Sequence, residues 1–295
     1  MATTKTSGMA LALLLVAALA VGAAAWGKEG HRLTCMVAEP FLSSESKQAV
    51  EELLSGRDLP DLCSWADQIR RSYKFRWTGP LHYIDTPDNL CTYDYDRDCH
   101  DSHGKKDVCV AGGINNYSSQ LETFLDSESS SYNLTEALLF LAHFVGDIHQ
   151  PLHVAFTSDA GGNGVHVRWF GRKANLHHVW DTEFISRANR VYYHDISKML
   201  RNITRSITKK NFNSWSRCKT DPAACIDSYA TESIDASCNW AYKDAPDGSS
   251  LDDDYFSSRL PIVEQRLAQG GVRLASILNR IFGGAKSNRS SRSSM

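Results

Sequence analysis

His143 and Asp147 stand four residues apart, as do His177 and Asp181, and His153 falls between the two pairs. On a helix, residues i and i+4 lie one above the other on a single face. Each pair would therefore present an imidazole and a carboxylate side by side. Pro151 cannot continue a helix, which places His153 just past the end of the first one, able to bend back toward the same face. Imidazole nitrogen and carboxylate oxygen together suit Zn²⁺. Two such pairs with an extra histidine are the layout of a site for more than one metal.

Each residue also has a plainer reading. Asp67 with Arg70 and Arg71 reads equally well as an ordinary surface ion-pair helix, and His82 as a buried, hydrogen-bonded histidine. His31, taken alone, means little. The pair His143 and Asp147 is different, because it lies in or beside the apolar run Leu138 to Val145, where an unpaired carboxylate would be costly. A metal gives both groups a reason to be there. The other histidines carry less. His149 falls on a different face from Asp147 and reads as supporting or structural, and His178 points about 100° away from its neighbour His177. His100, His103 and His194 read as solvated, and His166 as a surface position in a short hairpin.

Positioning these groups calls for a mainly helical chain. Apolar periodicity predicts helices over Ser46 to Leu54, Asn133 to Gln150, His177 to Val191, His194 to Ile207 and Leu260 to Phe282. Asn133, with Glu136 three residues on, makes a capping box for the helix bearing His143 and Asp147. The alternation in Gly164 to Phe170 predicts a β-hairpin near the site, and the polar, Asp-rich stretch Cys91 to Val110 a stapled loop. No repeat or Pro/Gly-rich linker divides the chain. The expected fold class is all-α, one multi-helix domain over 26–282 with a small β element.

The two ends differ from the middle. Residues 1–25 carry one charge (Lys5), an apolar run from Met9 to Val21 and then Ala23-Ala24-Ala25. This is a secretory signal with a small-residue cleavage motif, its run too short to span a membrane. Cleavage would leave Trp26 first and about 270 residues, enough for one large core. The stretch 283–295, rich in Ser and Arg, lacks apolar residues to pack and reads as a disordered tail. With no further hydrophobic span, the product is expected to have no membrane anchor and to be a monomer.

All eight cysteines follow the signal, and an even count in a secreted chain reads as four disulfides rather than thiolate ligands. Spacing suggests local pairs Cys99–Cys109 and Cys218–Cys225, while sequence alone leaves the full connectivity open. Sequons at Asn116, Asn133, Asn202 and Asn288 fit the secretory pathway, ending outside the cell or in a vacuolar or ER-derived compartment. The formal net charge of −2 excludes a domain that holds nucleic acid by phosphate neutralisation over its whole surface. Attraction to an anionic substrate would have to come from metal and a few arginines.

Six elements occur in order: Trp26-Gly27-Lys28-Glu29-Gly30-His31, Trp65-Ala66-Asp67, His82-Tyr83-Ile84-Asp85, His143-Phe144-Val145-Gly146-Asp147, Gln150-Pro151-Leu152-His153, and Asn175-Leu176-His177-His178-Val179-Trp180-Asp181. In this the chain closely resembles the S1/P1 nuclease family and, within it, the plant bifunctional (type I) nucleases, from Trp26 to about Phe282. Each motif alone is weak, but the ordered set is very specific.

The resemblance implies a fold similar to zinc-dependent phospholipase C and three zinc ions. Asp67, His82, His143 and Asp147 would hold one. Asp147 would bridge to a second, completed by His31 and the backbone amine and carbonyl of Trp26. His153, His177 and Asp181 would hold the third. It also implies a Cys91–Cys238 link, which leaves Cys35 with Cys63. Arg70 matches a phosphate-binding arginine, Tyr83 an aromatic that stacks on a base, and Asn163 an asparagine near the substrate. Asp85 would orient the nucleophile or contact the base. The implied activity is endonucleolytic hydrolysis of single-stranded DNA and RNA to 5′-phosphorylated products, with 3′-nucleotidase activity on 3′-nucleotides.

Two other classes compete. A phospholipase C-like phosphodiesterase shares the N-terminal Trp and three zincs, but the Trp26-to-His31 opening and the His82–Asp85 element follow the nuclease pattern. Hydrolysis of single-stranded DNA against phosphatidylcholine separates the two. A secreted zinc-storage protein would leave a bridging Asp147 and Arg70 without purpose, and turnover excludes it.

Overall fold

The computed structural model describes residues 26–125, 131–218 and 222–283. The expected signal and all but Gly283 of the expected tail, including Asn288, lie outside them. In chain order the helices that matter here are α1 (Lys28–Ala38), α2 (Ser44–Leu54), α3 (Trp65–Ile69), α4 (Val110–Glu122) and α5 (Leu134–Asp147). They are followed by a segment, α6, over 176–193 in which α-helical turns alternate with wider π-helical ones, and then by α7 (Ile196–Ser206), α8 (Pro222–Ala236) and α9 (Asp253–Phe282). The strands are short. β1 (Ile84–Thr86) pairs in parallel with β2 (Val154–Phe156), and β3 (His166–Trp169) forms the expected hairpin with β4 (Arg172–Asn175). β5 (Ser250–Leu251) adds to the free side of β3. The chain is mainly helical with a small β component, as its sequence predicts.

α5 is the central element. The side chain of Asn133 caps it by accepting from the Glu136 N–H, and every residue from Ala137 to Asp147 is buried. A helix apolar on all sides belongs in the middle of a core, and that is where His143 and Asp147 are carried. It ends at Asp147, three residues short of the expected Gln150. Ile148 to Gln150 turn away so that Pro151–His153 can form one tight turn leading into β2.

Two adjoining cores result. One gathers α2, α4, α5, α8 and the C-terminal half of α9 around Phe140, Phe144, Leu274 and Phe282. The other gathers Trp26, the hairpin, α6, α7 and the N-terminal half of α9 around Trp180, Phe184, Val263 and Leu267. α9 spans both, and so does α1, which gives Cys35 and Ala38 to the first and Leu33 and Val37 to the second. Sequence periodicity starts α9 at Leu260, beside Pro261. The helix begins earlier, at Asp253, because Tyr255 and Phe256 bury in the second core and outweigh the one backbone donor that proline lacks. α7 starts at Ile196 rather than His194, whose φ of +56° breaks the helix.

The cysteines pair as Cys35–Cys63, Cys91–Cys238, Cys99–Cys109 and Cys218–Cys225. These are the four expected links, and two of them staple the loop after β1. Among the described residues no helix is long and apolar enough to cross a membrane.

Candidate metal centre

The seam between the two cores holds the side chains singled out in the sequence. His31 comes from α1, Asp67 from α3, and His82 from the turn before β1. His143 and Asp147 come from the end of α5, His153 from the turn before β2, and His177 and Asp181 from the start of α6. All are buried except Asp67, whose side chain is nearly so. They fall into three groups whose donor atoms lie within 4.8 Å of one another: His31, His143 and Asp147; Asp67, His82 and His143; His153, His177 and Asp181.

Asp147 joins the first two groups. Its Oδ1 lies 3.2 Å from His31 Nε2, while its Oδ2 lies 3.0 Å from His82 Nδ1 and 3.3 Å from His143 Nε2. The third group is linked by His177 Nε2 at 3.2 Å from Asp181 Oδ2 and 3.1 Å from His153 Nε2. His31 can reach Asp147 because residue 146 is glycine: a Cβ there would stand 2.7 Å from the His31 ring.

Backbone carbonyls set three of these rings. The Nδ1 atoms of His143, His153 and His177 lie 2.8, 2.6 and 2.6 Å from the carbonyl oxygens of Cys63, His82 and Gly161. A carbonyl only accepts, so each Nδ1 carries the proton, and in the neutral rings of His143 and His153 the Nε2 turns a lone pair inward. The Nε2 atoms of His153 and His177 lie 3.1 Å apart, side by side as two ligands of one cation would be. His149 contrasts with these. Its Nδ1 meets the Val145 carbonyl and its Nε2 accepts from Arg273, so no nitrogen is left for a metal.

Burial sets the charges. It drives the imidazoles of His31, His82 and His153 well below their ordinary pKa and that of His143 to about 3. His177 is the exception, since Asp181 beside it outweighs burial and raises it. The same burial lifts Asp67 to about 6 and Asp147 well above a normal carboxylate, with Arg70 opposing both. Asp181 is raised too. Neutral imidazoles and carboxylates short of positive charge are a donor set that a divalent cation completes. Buried His31 Nε2, Asp67 Oδ1 and Asp147 Oδ1 have no hydrogen-bond partner, so the residues present fit a metal cluster.

The remaining expected residues stand at different removes. Arg70 Nε lies 3.4 Å from Asp67 Oδ1, at the edge of the cluster. Tyr83 is 39 % exposed beside it. Asp85, on β1, is half-buried, and burial raises its carboxyl to about 6, with Asp159 adding to the effect and His100 opposing it. The Asn163 amide donates to Ala160 O within its own turn, in the loop that meets the site through the Gly161 carbonyl. Trp26 is fully buried, and the next residue's N–H donates to Asp181 O at 2.8 Å, so the start of the described chain is tied to the third group. His178, His166, His100, His103 and His194 are exposed. Asn116, Asn133 and Asn202 are exposed as well, though the Asn202 amide donates to Tyr193 and Glu264.

Gln150 has a role that its sequence context does not reveal. Its side-chain amide donates to Asp181 Oδ1 at 2.6 Å while its oxygen accepts from Leu152 N–H at 2.6 Å. The available signal was its place in the Gln150-Pro151-Leu152-His153 element, between two ligand-bearing stretches. The three carbonyls that orient histidines leave no sequence signal at all.

Comparison with known proteins agrees with this geometry. A family model described as S1/P1 Nuclease matches residues 26–283. Endonuclease 4 of Arabidopsis thaliana is 50 % identical over 279 residues, covering 92 % of this chain and 93 % of that one. Endonuclease 1 of the same plant is 52 % identical over 266 residues, or 87 % of each chain. Nuclease S1 of Aspergillus oryzae is 32 % identical over 286 residues, covering 92 % and 95 %. With the family model spanning nearly all described residues and three donor groups where its motifs fall, the chain belongs to the S1/P1 nuclease family.

Proposed function

We propose that the protein is a zinc-dependent endonuclease that hydrolyses single-stranded DNA and RNA to 5′-phosphorylated products and removes the phosphate of 3′-nucleotides. The observation that carries this reading is Asp147, with one oxygen toward each of two donor groups and a third group alongside. Asp67, His82, His143 and Asp147 would hold one zinc; Asp147, His31 and the Trp26 terminus a second; His153, His177 and Asp181 a third. When bound, the ions would supply positive charge for the phosphoryl group and lower the pKa of nearby water toward about 7.

The chain's own residues do the positioning. Arg70, held against Asp67, offers a planar guanidinium that suits phosphate oxygens. The Tyr83 ring, exposed beside it, gives an unstacked base a surface to lie on, which favours single strands. Asp85, its carboxyl near 6, accepts a proton at neutral pH and so orients the attacking water or a base. Asn163, with one N–H on Ala160 O, keeps its second N–H and its oxygen to contact base or sugar. We assign residues 1–25 as a cleaved signal, 26–282 as the nuclease domain and the product as a monomer of the secretory pathway, glycosylated at Asn116, Asn133 and Asn202.

Product analysis on single-stranded DNA, RNA and a 3′-nucleotide, with and without chelator, tests the proposal. The expected result is 5′-phosphate termini, free phosphate from the 3′-nucleotide, and loss of both with chelator. Activity that survives complete metal removal would overturn it, as would 3′-phosphate products.

A further inference from the structure

Between α3 and β1 the chain carries a group of side chains that the metal centre does not use. From Arg70 to Trp77 it reads Arg-Arg-Ser-Tyr-Lys-Phe-Arg-Trp, four cations and three rings without a carboxylate. Two of the rings face solvent, Tyr73 at 91 % and Trp77 at 60 % exposure. Nothing in its neighbours along the chain sets Trp77 apart from a core tryptophan.

The segment is held firmly. Phe75 points inward, edge-on to Trp65 with ring centres 5.7 Å apart and 6.1 Å from Phe140. Successive turns, Ser72 N–H to Ile69 O, Phe75 N–H to Ser72 O and Thr78 N–H to Phe75 O, fix the backbone. Two large rings left in water on an anchored backbone are a more informative feature than scattered exposed apolar residues.

The segment also has a direction. Its near end is Arg70, at Asp67 in the metal centre, and Lys74 pairs with Glu136 at 3.3 Å in the first turn of α5. Glu136 precedes His143 by seven residues on that helix, a rise of roughly 10 Å. Cations interleaved with exposed rings match a single strand, whose phosphates they neutralise while its bases stack. The chain as a whole, at net −2, supplies no such attraction, so a local track is where it must come from.

We propose that Tyr73 and Trp77, with Arg71, Lys74 and Arg76, form a track that holds the single-stranded nucleic acid flanking the scissile phosphate. The proposal rests on the nuclease reading above and adds an extended binding surface to it. Every base has a stacking face, so the track responds to strand length rather than to sequence.

The test has two readouts. The first is kcat/KM on a 3′-mononucleotide and on oligothymidylates of increasing length, for the wild type, Tyr73→Ala, Trp77→Ala and the conservative Tyr73→Phe. Wild-type efficiency should rise with length. The alanine variants should keep mononucleotide activity and lose about tenfold or more each on long strands, with Tyr73→Phe close to wild type. The second readout is binding of a labelled, cleavage-resistant phosphorothioate oligothymidylate by the metal-loaded protein, which needs no turnover. There the alanine variants should weaken binding by a similar factor, and Arg76→Ala should lower the salt slope by about one. Failure of the nuclease reading would show as a wild type inactive on every nucleic acid, with the binding arm still deciding the track. Equal length dependence and equal binding in wild type and variants would overturn the proposal. So would equal losses on mononucleotide and polymer, or loss of phosphatidylserine-vesicle binding with oligonucleotide binding intact.

Discussion

The two oxygens of Asp147 face different histidines, His31 on one side and His82 with His143 on the other. Asp147→Asn keeps the shape and removes the charge, so zinc content should fall from three toward one and turnover by at least about a hundredfold. His178→Ala, an exposed neighbour of a ligand, should leave both nearly unchanged. Metal analysis alongside single-stranded DNA hydrolysis decides, and equal effects would mean that the ligand register is wrong. Gln150→Leu should act on a different group. It strips one hydrogen bond from Asp181 and orphans the Leu152 N–H, lowering affinity for one zinc by roughly 10–100-fold and stability by about 1–3 kcal/mol. Competition with a chromophoric chelator reads the first effect and thermal melting the second. At this scale the ligands were legible, because His-x-x-x-Asp is a helical register written in the sequence. The partners that aim the rings were not, since Cys63, His82 and Gly161 act through carbonyls that every residue possesses.

Among the helices, α9 is tied to α8 and to the segment after α5 by a polar group inside the molecule. Glu232 on α8 pairs with Arg266 at 2.8 Å and with Arg273 at 2.7 Å, and both arginines are almost fully buried. Arg266 also donates to the His149 carbonyl, and Arg273 to the His149 ring. Burial alone would raise the Glu232 carboxyl, but the hydrogen bonds and charge of Arg273, then Arg266, hold it below its ordinary value. A depressed carboxyl adds stability above its unfolded pKa, near 4.3, and loses that stability as pH falls through the lower folded value. Glu232→Gln should therefore melt well below wild type at neutral pH, by about 3 kcal/mol from two uncompensated guanidinium groups. The gap should narrow as pH falls below about 4. A constant gap from pH 7 to pH 3 would show that charge is not the cause. Periodicity marked α2, α5, α6, α7 and most of α9, but it missed α1, α3 and α8, and also α4, whose Val110-Ala111-Gly112-Gly113 opening is poor helix sequence. Tertiary packing makes that helix: Gly113 lies against the Phe144 ring, where a Cβ would stand 3.0 Å away. The β1–β2 pair was equally hidden, since its partners lie 70 residues apart, Ile84 opposite Val154.

For the molecule as a whole, the ordered motifs made family and fold legible, while the seam between two cores was not, because it depends on which helices meet. If the Trp26 amine is a ligand, one extra alanine before it should remove one zinc and most turnover while leaving the melting transition near normal. Full activity in the extended form would take the terminus out of the metal centre. The packing of α1 has a further consequence, in the timing of synthesis. α1 carries His31 and lies along α9, so closely that a Cβ on Gly271 would stand 2.4 Å from Val37. The first described helix thus waits for the last before much of its buried face is covered. A chain that has left the ribosome only as far as Asp252 already contains every proposed ligand, yet the helix that carries His31 still lacks the long partner that covers it. Growing chains should therefore bind metal poorly and cut nothing until the final helix has emerged.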